Sequence, residues 1–306
     1  MKILITGAAG YVGTELSYIL AAHVDVEKLF LYDNLSRTNY NAFIGVTKYF
    51  PNKIEFIEGD ILDTRKLKKI MSNVDVVIHL AAKVSTPFSD DNPHLFEQVN
   101  HWGTAEMTYA IEACANVKKF IYASSVSVYG SGSNVFNVNS NLNPRTVYGI
   151  SKMRGEEHAA RIKDKTNTWI MRLGNVYGYS KSMRFDAVIN KFMFDANFKN
   201  KITINGDGNQ HRSFVHINYV TKTLARIATG NEVATGTYNV INENLSVNEI
   251  VDTMREIFPD IEMLFVNQHM KLRGLQVEPD ERIQKLGIEH NPLTVSLSNF
   301  KKEFTF

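Results

Sequence analysis

Tyr148 and Lys152, four residues apart, are the side chains whose types and spacing best suit proton transfer. Residues at this spacing share one face of a helix, so the lysine ammonium would lie beside the phenol. A positive charge there lowers the pKa of the phenol, and the phenolate can take a proton from a sugar or alcohol hydroxyl near neutral pH. Ser124 and Ser125 end a predicted strand, where one hydroxyl could orient the reacting oxygen. A surface pair without a catalytic role is the alternative.

The segment GAAGYVG at residues 7–13 lies between the first predicted strand and the first predicted helix. Its glycines, Gly7, Gly10 and Gly13, permit a tight turn and a close approach of the backbone to a pyrophosphate. The amide protons at the start of the helix attract the negative charge of that group. The segment therefore predicts a dinucleotide site, with an ordinary strand-to-helix turn as the alternative.

Asp33 ends the second predicted strand, about 20 residues after the last glycine of the turn. A carboxylate at this position accepts hydrogen bonds from the ribose hydroxyls of the adenosine and repels a 2′-phosphate. The sequence therefore favours NAD over NADP. Arg37 is the residue type that would read a 2′-phosphate, and a solvated loop charge is the interpretation we favour for it.

Short apolar runs alternate with helical patterns through the first half of the chain, as is typical of a parallel sheet covered by helices. The predicted strands cover residues 2–6, 28–33, 54–60, 75–81, 120–125 and 168–174. The predicted helices between them cover residues 11–23, 95–115 and 147–162. Pro93 and Pro144 lie near the starts of the second and third helices, where a missing amide proton costs nothing.

After about residue 175 the pattern becomes mixed. Strands are predicted at residues 201–204 and 237–241, among helices at 185–196 and 246–258. We expect an α/β protein with a Rossmann-type doubly wound parallel sheet and a smaller mixed α/β substrate-binding lobe. Residues 1–174 would form the NAD-binding domain with the catalytic residues. Residues 175–306 would form most of the second lobe, with chain crossings back to the first domain.

The composition of the chain argues against several classes of protein. The chain has 306 residues and a formal net charge of +2, so nothing in the charge balance asks for a nucleic acid partner. Its one cysteine, Cys114, suits a reducing compartment, and its longest apolar runs are far shorter than the roughly 20 residues of a membrane span. The nine histidines show no spaced metal-ligand set. We expect a cytoplasmic protein with neither a metal site nor a membrane partner.

Further motifs add to the glycine turn, Asp33 and the Tyr-x-x-x-Lys pair, and together they resemble one family. They are GDI at residues 59–61, HLAA at 79–82, SSVSVYG at 124–130, RLGNVYG at 172–178 and GDGNQHRSFVH at 206–216. The combination resembles the extended short-chain dehydrogenase/reductases, in their NAD-dependent nucleotide-sugar epimerase/dehydratase branch. The likeness covers nearly the whole chain.

The resemblance implies a role for each matching residue. Ser125 and Tyr148 would bind the reacting hydroxyl, with Tyr148 as acid and base and Lys152 tuning it. The residues implied in binding NAD are Gly7, Gly10, Tyr11, Val12, Gly13, Asp33, Asn34, Asp60, Ile61, Ala81, Ala82, Asn100, Tyr148 and Lys152. Those implied in binding a nucleotide-diphosphate sugar are Lys83, Ser125, Asn175, Arg184, Arg212 and Arg273, although surface or interlobe ion pairs are the alternative for the arginines.

One departure from the family pattern narrows the reaction. Dehydratases of this branch place an Asp-Glu pair after the catalytic Ser or Thr, whereas this chain has Val126 and Ser127. Neither side chain can supply the second acid and base, so the pattern disfavours 4,6-dehydration, and the absent glutamate also argues against the related decarboxylases. Epimerisation at C4 is therefore expected, by hydride removal, rotation of the keto intermediate and hydride return.

Two alternatives remain: a keto-sugar reductase or sugar-nucleotide dehydrogenase, and a non-catalytic NAD-binding scaffold or sensor. The retained Ser125, Tyr148 and Lys152 argue against the scaffold.

The resemblance also implies a homodimer through the helices at residues 95–115 and 147–162, although burial against the sheet would need the same small and apolar residues.

Overall fold

A parallel sheet of seven strands forms the centre of the molecule, which was studied as a computed structural model. The structure describes residues 1–44, 50, 52–84, 92–132, 134–267 and 273–305. In chain order the elements are β1 (Lys2–Thr6), α1 (Tyr11–Ala22), β2 (Lys28–Asp33), β3 (Ile54–Glu58), α2 (Thr64–Met71), β4 (Val76–His79), α3 (Pro93–Phe96), α4 (Gly103–Glu112), β5 (Lys119–Ser125), β6 (Val135–Phe136), α5 (Val147–Arg161), β7 (Asn167–Leu173), β8 (Asn175–Tyr177), α6 (Val188–Lys199), β9 (Lys201–Asn205), β10 (His211–His216), α7 (Ile217–Thr229), β11 (Gly236–Val240), β12 (Glu243–Ser246), α8 (Val247–Ile257), β13 (Glu262–Val266), β14 (Gln276–Val277), α9 (Glu281–Gln284) and α10 (Leu293–Lys301).

The strand order of the large sheet is β11-β7-β5-β4-β1-β2-β3, and every neighbouring pair is parallel. The chain leaves β1 toward β2 and β3 on one side and returns to β4 and β5 on the other. This reversal creates a crevice at the carboxyl ends of the strands, where open α/β sheets bind ligands. Ile3, Leu4 and Ile5 of β1 are fully buried, as a strand covered by helices on both faces requires.

The Rossmann-type α/β fold predicted from the sequence is confirmed, with shifts at element ends. The strand expected over 54–60 ends at Glu58, and the one expected over 75–81 is Val76–His79. The helix expected over 95–115 is two α-helices, α3 and α4, joined by a π-helical turn, Glu97–Trp102. Because hydrophobic spacing does not distinguish a π-helical turn from an α-helical one, the sequence pattern gave no sign of it.

The second half of the chain contributes to both parts of the molecule. β11 pairs with β7 and extends the large sheet, while α7 packs against α1. The remaining strands form a small mixed sheet, β12-β10-β8, and two short pairs. A separate apolar cluster fills the second lobe, with Met193, Ile202 and Leu297 fully buried.

No helix among the described residues is long and apolar enough to cross a membrane.

Candidate active site

Three adjoining cavities follow the carboxyl edge of the large sheet, and their walls share residues. The first cavity lies beyond β2 and β3, the second begins at the glycine turn, and the third opens toward the second lobe. Gly7 and Arg37 line both the first and the second cavity. Ser125 and Tyr148 line both the second and the third. The three cavities thus form one cleft, with the predicted catalytic residues where the last two meet.

The glycine turn brings backbone close to the cleft where a side chain would not fit. Gly7 has a φ of +68°, and a Cβ built on it would lie 2.7 Å from the amide nitrogen of Ala81. A Cβ on Gly13 would overlap the backbone of Ala8 at 2.8 Å. α1 begins at Tyr11, and no side chain caps it at Gly10, so its first amides suit an anion. The turn therefore fits the pyrophosphate of a dinucleotide.

Asp33 supports this turn as well as facing the first cavity. Its carboxylate accepts hydrogen bonds from the amides of Ala9 at 3.0 Å and Leu35 at 2.8 Å. Burial raises the pKa of Asp33, while these two hydrogen bonds and the charge of Arg37 oppose the rise. Arg37 is not the freely solvated charge favoured from sequence, because its guanidinium lies 3.7 Å from the carboxylate of Asp186.

Five further residues predicted to bind NAD lie together around the first cavity, with Lys83, which was predicted to bind the substrate. Its wall includes the following predicted residues: Asn34, Asp60, Ile61, Ala81, Ala82 and Lys83. Asn34 donates to the carboxylate of Asp60 at 2.9 Å, and Tyr32 donates to the Asp60 carbonyl at 2.6 Å. Lys83 therefore lines the first cavity, and it is absent from the walls of the third, where a substrate contact was expected.

Asn100 does not line the described cleft, contrary to the expectation from the family pattern. It is fully buried in the π-helical turn, behind the wall of the first cavity. Its side chain accepts from the amide of Lys83 at 2.8 Å and donates to the carbonyl of the same residue at 2.9 Å. It also donates to Ser151 on α5 at 3.0 Å. Asn100 therefore positions the segment after β4 relative to α5.

Ser125, Tyr148 and Lys152 meet in the wall of the second cavity. Ser125 ends β5, and Tyr148 and Lys152 lie on the first turns of α5. The hydroxyl of Thr146 caps this helix by accepting from the amide of Gly149 at 3.0 Å, which fixes where the helix begins. Ser125 and Tyr148 line the same wall, and the Ser125 hydroxyl is close enough to the phenol to act on its pKa. The structure thus brings all three predicted catalytic residues together.

Within the protein chain alone, burial raises the pKa of Tyr148. The Ser125 hydroxyl and the charge of Arg184 act in the opposite direction, with smaller effects. The Lys152 ammonium lies 4.2 Å from the ring centre of Tyr122. Burial lowers the pKa of Lys152 to about 7, and the carboxylate of Glu156 counteracts this. Sequence reasoning placed a charge beside the phenol but did not include the cost of burying both groups.

A buried ion pair behind the catalytic residues was missed in the sequence. Arg172 on β7 and Glu156 on α5 are 2.7 Å apart, and both side chains are more than nine-tenths buried. Ser124 donates its hydroxyl to Glu156, and Arg172 donates to the phenol of Tyr129 at 2.9 Å. Ser124 thus belongs to this supporting network, whereas Ser125 meets the phenol. An arginine inside a strand predicted to be buried was the available signal, because such a charge requires a partner.

The third cavity has a strongly basic wall. Five of the six predicted substrate residues line it: Ser125, Asn175, Arg184, Arg212 and Arg273. Arg145, which was not predicted from the sequence, lines it as well. Arg212 donates to the carbonyl of Arg273 at 2.8 Å, which links β10 to the segment just before β14. The described part of this wall contains no aspartate or glutamate. The cavity therefore suits a polyanionic ligand such as a diphosphate.

The fold and this cleft are those of an α/β protein suited to a dinucleotide, with Ser125, Tyr148 and Lys152 together in one wall. The sequence model of the NAD dependent epimerase/dehydratase family matches residues 3–240, and the chain belongs to that family, within the extended short-chain dehydrogenase/reductases. Its cofactor is NAD, as predicted. The glycine turn, the first amides of α1 and Asp33 are the groups that would hold it.

Relatives in the family include both epimerases and dehydratases. A Methanocaldococcus jannaschii protein, named as a candidate UDP-glucose 4-epimerase, is 33% identical over 83% of this chain and 81% of its own length. A Dictyostelium discoideum dTDP-D-glucose 4,6-dehydratase is 33% identical over 78% of this chain, which spans only 58% of that enzyme. The structure of UDP-glucuronic acid 4-epimerase from Bacillus cereus with NAD shares the fold, with a TM-score of 0.83, 23% identity and 99% coverage of both chains.

Titration of Lys152 gives a pH-dependent stability. Because its folded pKa of about 7 lies below the value of 10.5 expected for a free lysine, only the unfolded chain holds this proton between those pH values. The free energy of unfolding therefore rises with pH in that range. We expect Lys152→Met to remove this contribution, on the order of 1 kcal/mol per pH unit, from pH 7 to 9.

Urea denaturation of protein stripped of NAD measures this slope. Lys163→Met, at an exposed lysine, is the matched control. Equal slopes in the two variants would show that Lys152 keeps its proton in the folded protein throughout this range.

Proposed function

We propose that this protein is an NAD-dependent epimerase of a nucleotide-diphosphate sugar, acting at C4. The observation that supports this most strongly is the position of Ser125 and Tyr148, which lie together in the wall shared by the second cavity and the basic third cavity. A sugar hydroxyl that enters the third cavity can reach both groups at this boundary. When bound, NAD supplies the hydride acceptor and donor.

Each catalytic side chain has a distinct task in the proposal. Ser125 holds the sugar oxygen in line with the phenol of Tyr148. Tyr148 removes the proton of the hydroxyl during oxidation and returns it when the other face of the ketone is reduced. Lys152 supplies positive charge that favours the phenolate, and its own charge state depends on Glu156. The ketone must turn over between the two transfers, so it must bind loosely enough to rotate.

The lack of carboxylates beside the reacting centre favours epimerisation over elimination of water. Val126 and Ser127 follow Ser125, and Ser127 accepts a hydrogen bond from it at 3.1 Å. In the described walls of the second and third cavities there is no aspartate or glutamate. Elimination would need an additional acid and base, which these walls do not supply.

We further propose that the nucleotide diphosphate lies against the basic wall. Asn175, Arg212 and Arg273 would hold the phosphates, since guanidinium groups match phosphate oxygens in pairs. Burial lowers the pKa of Arg212, so a bound dianion would stabilise its charge. Arg184 lines the second and third cavities and would contact the substrate near Tyr148. Lys83 would contact the substrate from the first cavity, on the side of the cleft that holds the cofactor.

Tyr148→Phe tests the assignment. The variant keeps the ring and loses the acid and base, so we expect turnover to fall by roughly a hundredfold or more with NAD still bound. The measurement is product formation from a panel of nucleotide sugars, with NAD content determined after denaturation. Tyr238→Phe is the matched control, because among the described residues its hydroxyl bonds only to the Ala234 carbonyl, at 2.6 Å, outside the cleft.

A fully active Tyr148→Phe variant would refute the role of the phenol. The same assay separates the nearest alternative, because an epimerase needs only catalytic amounts of NAD. NADH that accumulates in proportion to product would instead identify a sugar-nucleotide dehydrogenase, and a requirement for stoichiometric NADH would identify a keto-sugar reductase.

We propose that two copies of the chain associate through α4 and α5, in the cytoplasm. The two helices pack side by side, and the adjoining π-helical turn exposes Trp102 by 56%, while α4 exposes Tyr109 by 47%. His101 stacks on Trp102 and on His158 of α5, so the exposed rings form one continuous surface. Large exposed apolar surfaces of this kind are typical of protein interfaces.

Trp102→Glu is expected to convert the dimer to a monomer, because it places a charge in this aromatic surface. Light scattering during gel filtration measures the mass. Val24→Glu, at a position 88% exposed after α1, is the control and should leave the dimer intact. A wild-type protein that stays monomeric at high concentration would exclude the proposal.

A further inference from the structure

Three charged side chains connect opposite sides of the cofactor cleft. Arg37 follows β2 in the first domain, whereas Arg184 and Asp186 belong to the segment between β8 and α6. One oxygen of Asp186 accepts from Nε of Arg184 at 3.1 Å and lies 3.7 Å from Nη2 of Arg37. Arg184 also donates to the carbonyl of Val84, the residue that lines all three cavities, at 3.0 Å. We call Arg37, Asp186 and Arg184 the clasp.

The position of the clasp relates it to the cofactor. Arg37 lines the first and second cavities, so a dinucleotide that occupies both passes beside its guanidinium. Arg184 lines the second and third cavities. The carboxylate of Asp186 between them is the only link among the described residues that joins the two arginines directly.

The segment that carries Arg184 and Asp186 is fastened to the first turns of α1. Tyr11 donates its hydroxyl to the carbonyl of Gly178 at 2.5 Å, and Ser180 donates to the carbonyl of Tyr11 at 3.0 Å. Thr14 donates to Ser182 at 2.8 Å, and all four of these side chains are buried. The clasp is therefore anchored on the helix whose N-terminus suits the pyrophosphate.

The contact between Arg37 and Asp186 in the clasp can become shorter. The Arg37 to Asp186 distance of 3.7 Å exceeds that of a hydrogen bond. The second carboxylate oxygen of Asp186 is buried and accepts no hydrogen bond from the described residues. A buried acceptor without a donor is unfavourable, so a small movement of Arg37 toward this oxygen would be stabilising. Arg37 is 42% exposed and free to make that movement.

We propose that the clasp slows the release of NAD, with Asp186 as the positioning residue that holds both arginines across the cleft. An enzyme that restores its cofactor in every cycle gains from keeping it between cycles. The proposal depends on NAD binding, which the family establishes, and does not depend on which sugar reaction follows. Its failure would leave the proposed epimerase activity unaffected.

Asp186→Asn distinguishes the clasp from simple electrostatics. Removal of the carboxylate leaves the positive charge of both arginines uncompensated. If only the attraction between these charges and the pyrophosphate mattered, NAD would be released more slowly. Loss of the clasp predicts the opposite, faster release by roughly fivefold, the upper end for an exposed ion pair. The rate is measured by loading the protein with radiolabelled NAD, adding excess unlabelled NAD and following the label retained on a filter.

The control and the second variant complete this test. Glu232→Gln removes a carboxylate from the exposed pair with Arg226 on α7 and should leave the release rate unchanged. Arg37→Met should also accelerate release, and Arg37→Met with Asp186→Asn should be no faster than Arg37→Met alone, because both act through one contact. Unchanged or slower release in Asp186→Asn, or additive effects in the double variant, would overturn the proposal. If Asp186→Asn does not fold, Asp186→Ser, which also removes the carboxylate, decides it by the same rates.

Discussion

The burial of a phenol and an ammonium within one turn of α5 is the constraint on which the site depends. Burial disfavours the charged form of both groups, raising the pKa of Tyr148 and lowering that of Lys152 to about 7. The carboxylate of Glu156 partly restores the lysine charge, and Arg172 neutralises that carboxylate in turn. Three elements, α5, β5 and β7, are therefore tied together by the same network that sets the proton chemistry.

Both lobes contribute to one cleft. The first domain supplies the glycine turn, the serine and the phenol, and the second lobe closes the other side with basic side chains. Because the same chain passes back through β11 and α7, the lobes are covalently and sterically coupled rather than joined by a single linker. Under the proposed function, changes in the second lobe would alter which sugar binds, while Ser125 on β5 and Tyr148 on α5 stay in place.

Sequence patterns were sufficient for the fold and for the placement of Ser125, Tyr148 and Lys152 in one cleft, because both depend on local signals. Buried strands are apolar runs, and the glycine turn, Asp33 and the Tyr148 to Lys152 spacing are short motifs at strand ends. The positions that were missed or misplaced depend on contacts between distant segments. Asn100 was expected in the cleft wall and instead supports Lys83 and Ser151 from behind. The Arg172 to Glu156 pair and the Arg37 to Asp186 contact could not be identified without the folded chain.

In the proposed reaction, hydride leaves C4 of the sugar and returns to the same carbon without escaping from the site. A nucleotide sugar deuterated at C4 tests this most directly, with mass spectrometry and NMR of the product formed in ordinary water. Epimerisation by this route gives a product of inverted configuration that keeps its deuterium at C4. Deuterium found in the solvent or in released cofactor, or a product that has lost water, would contradict it.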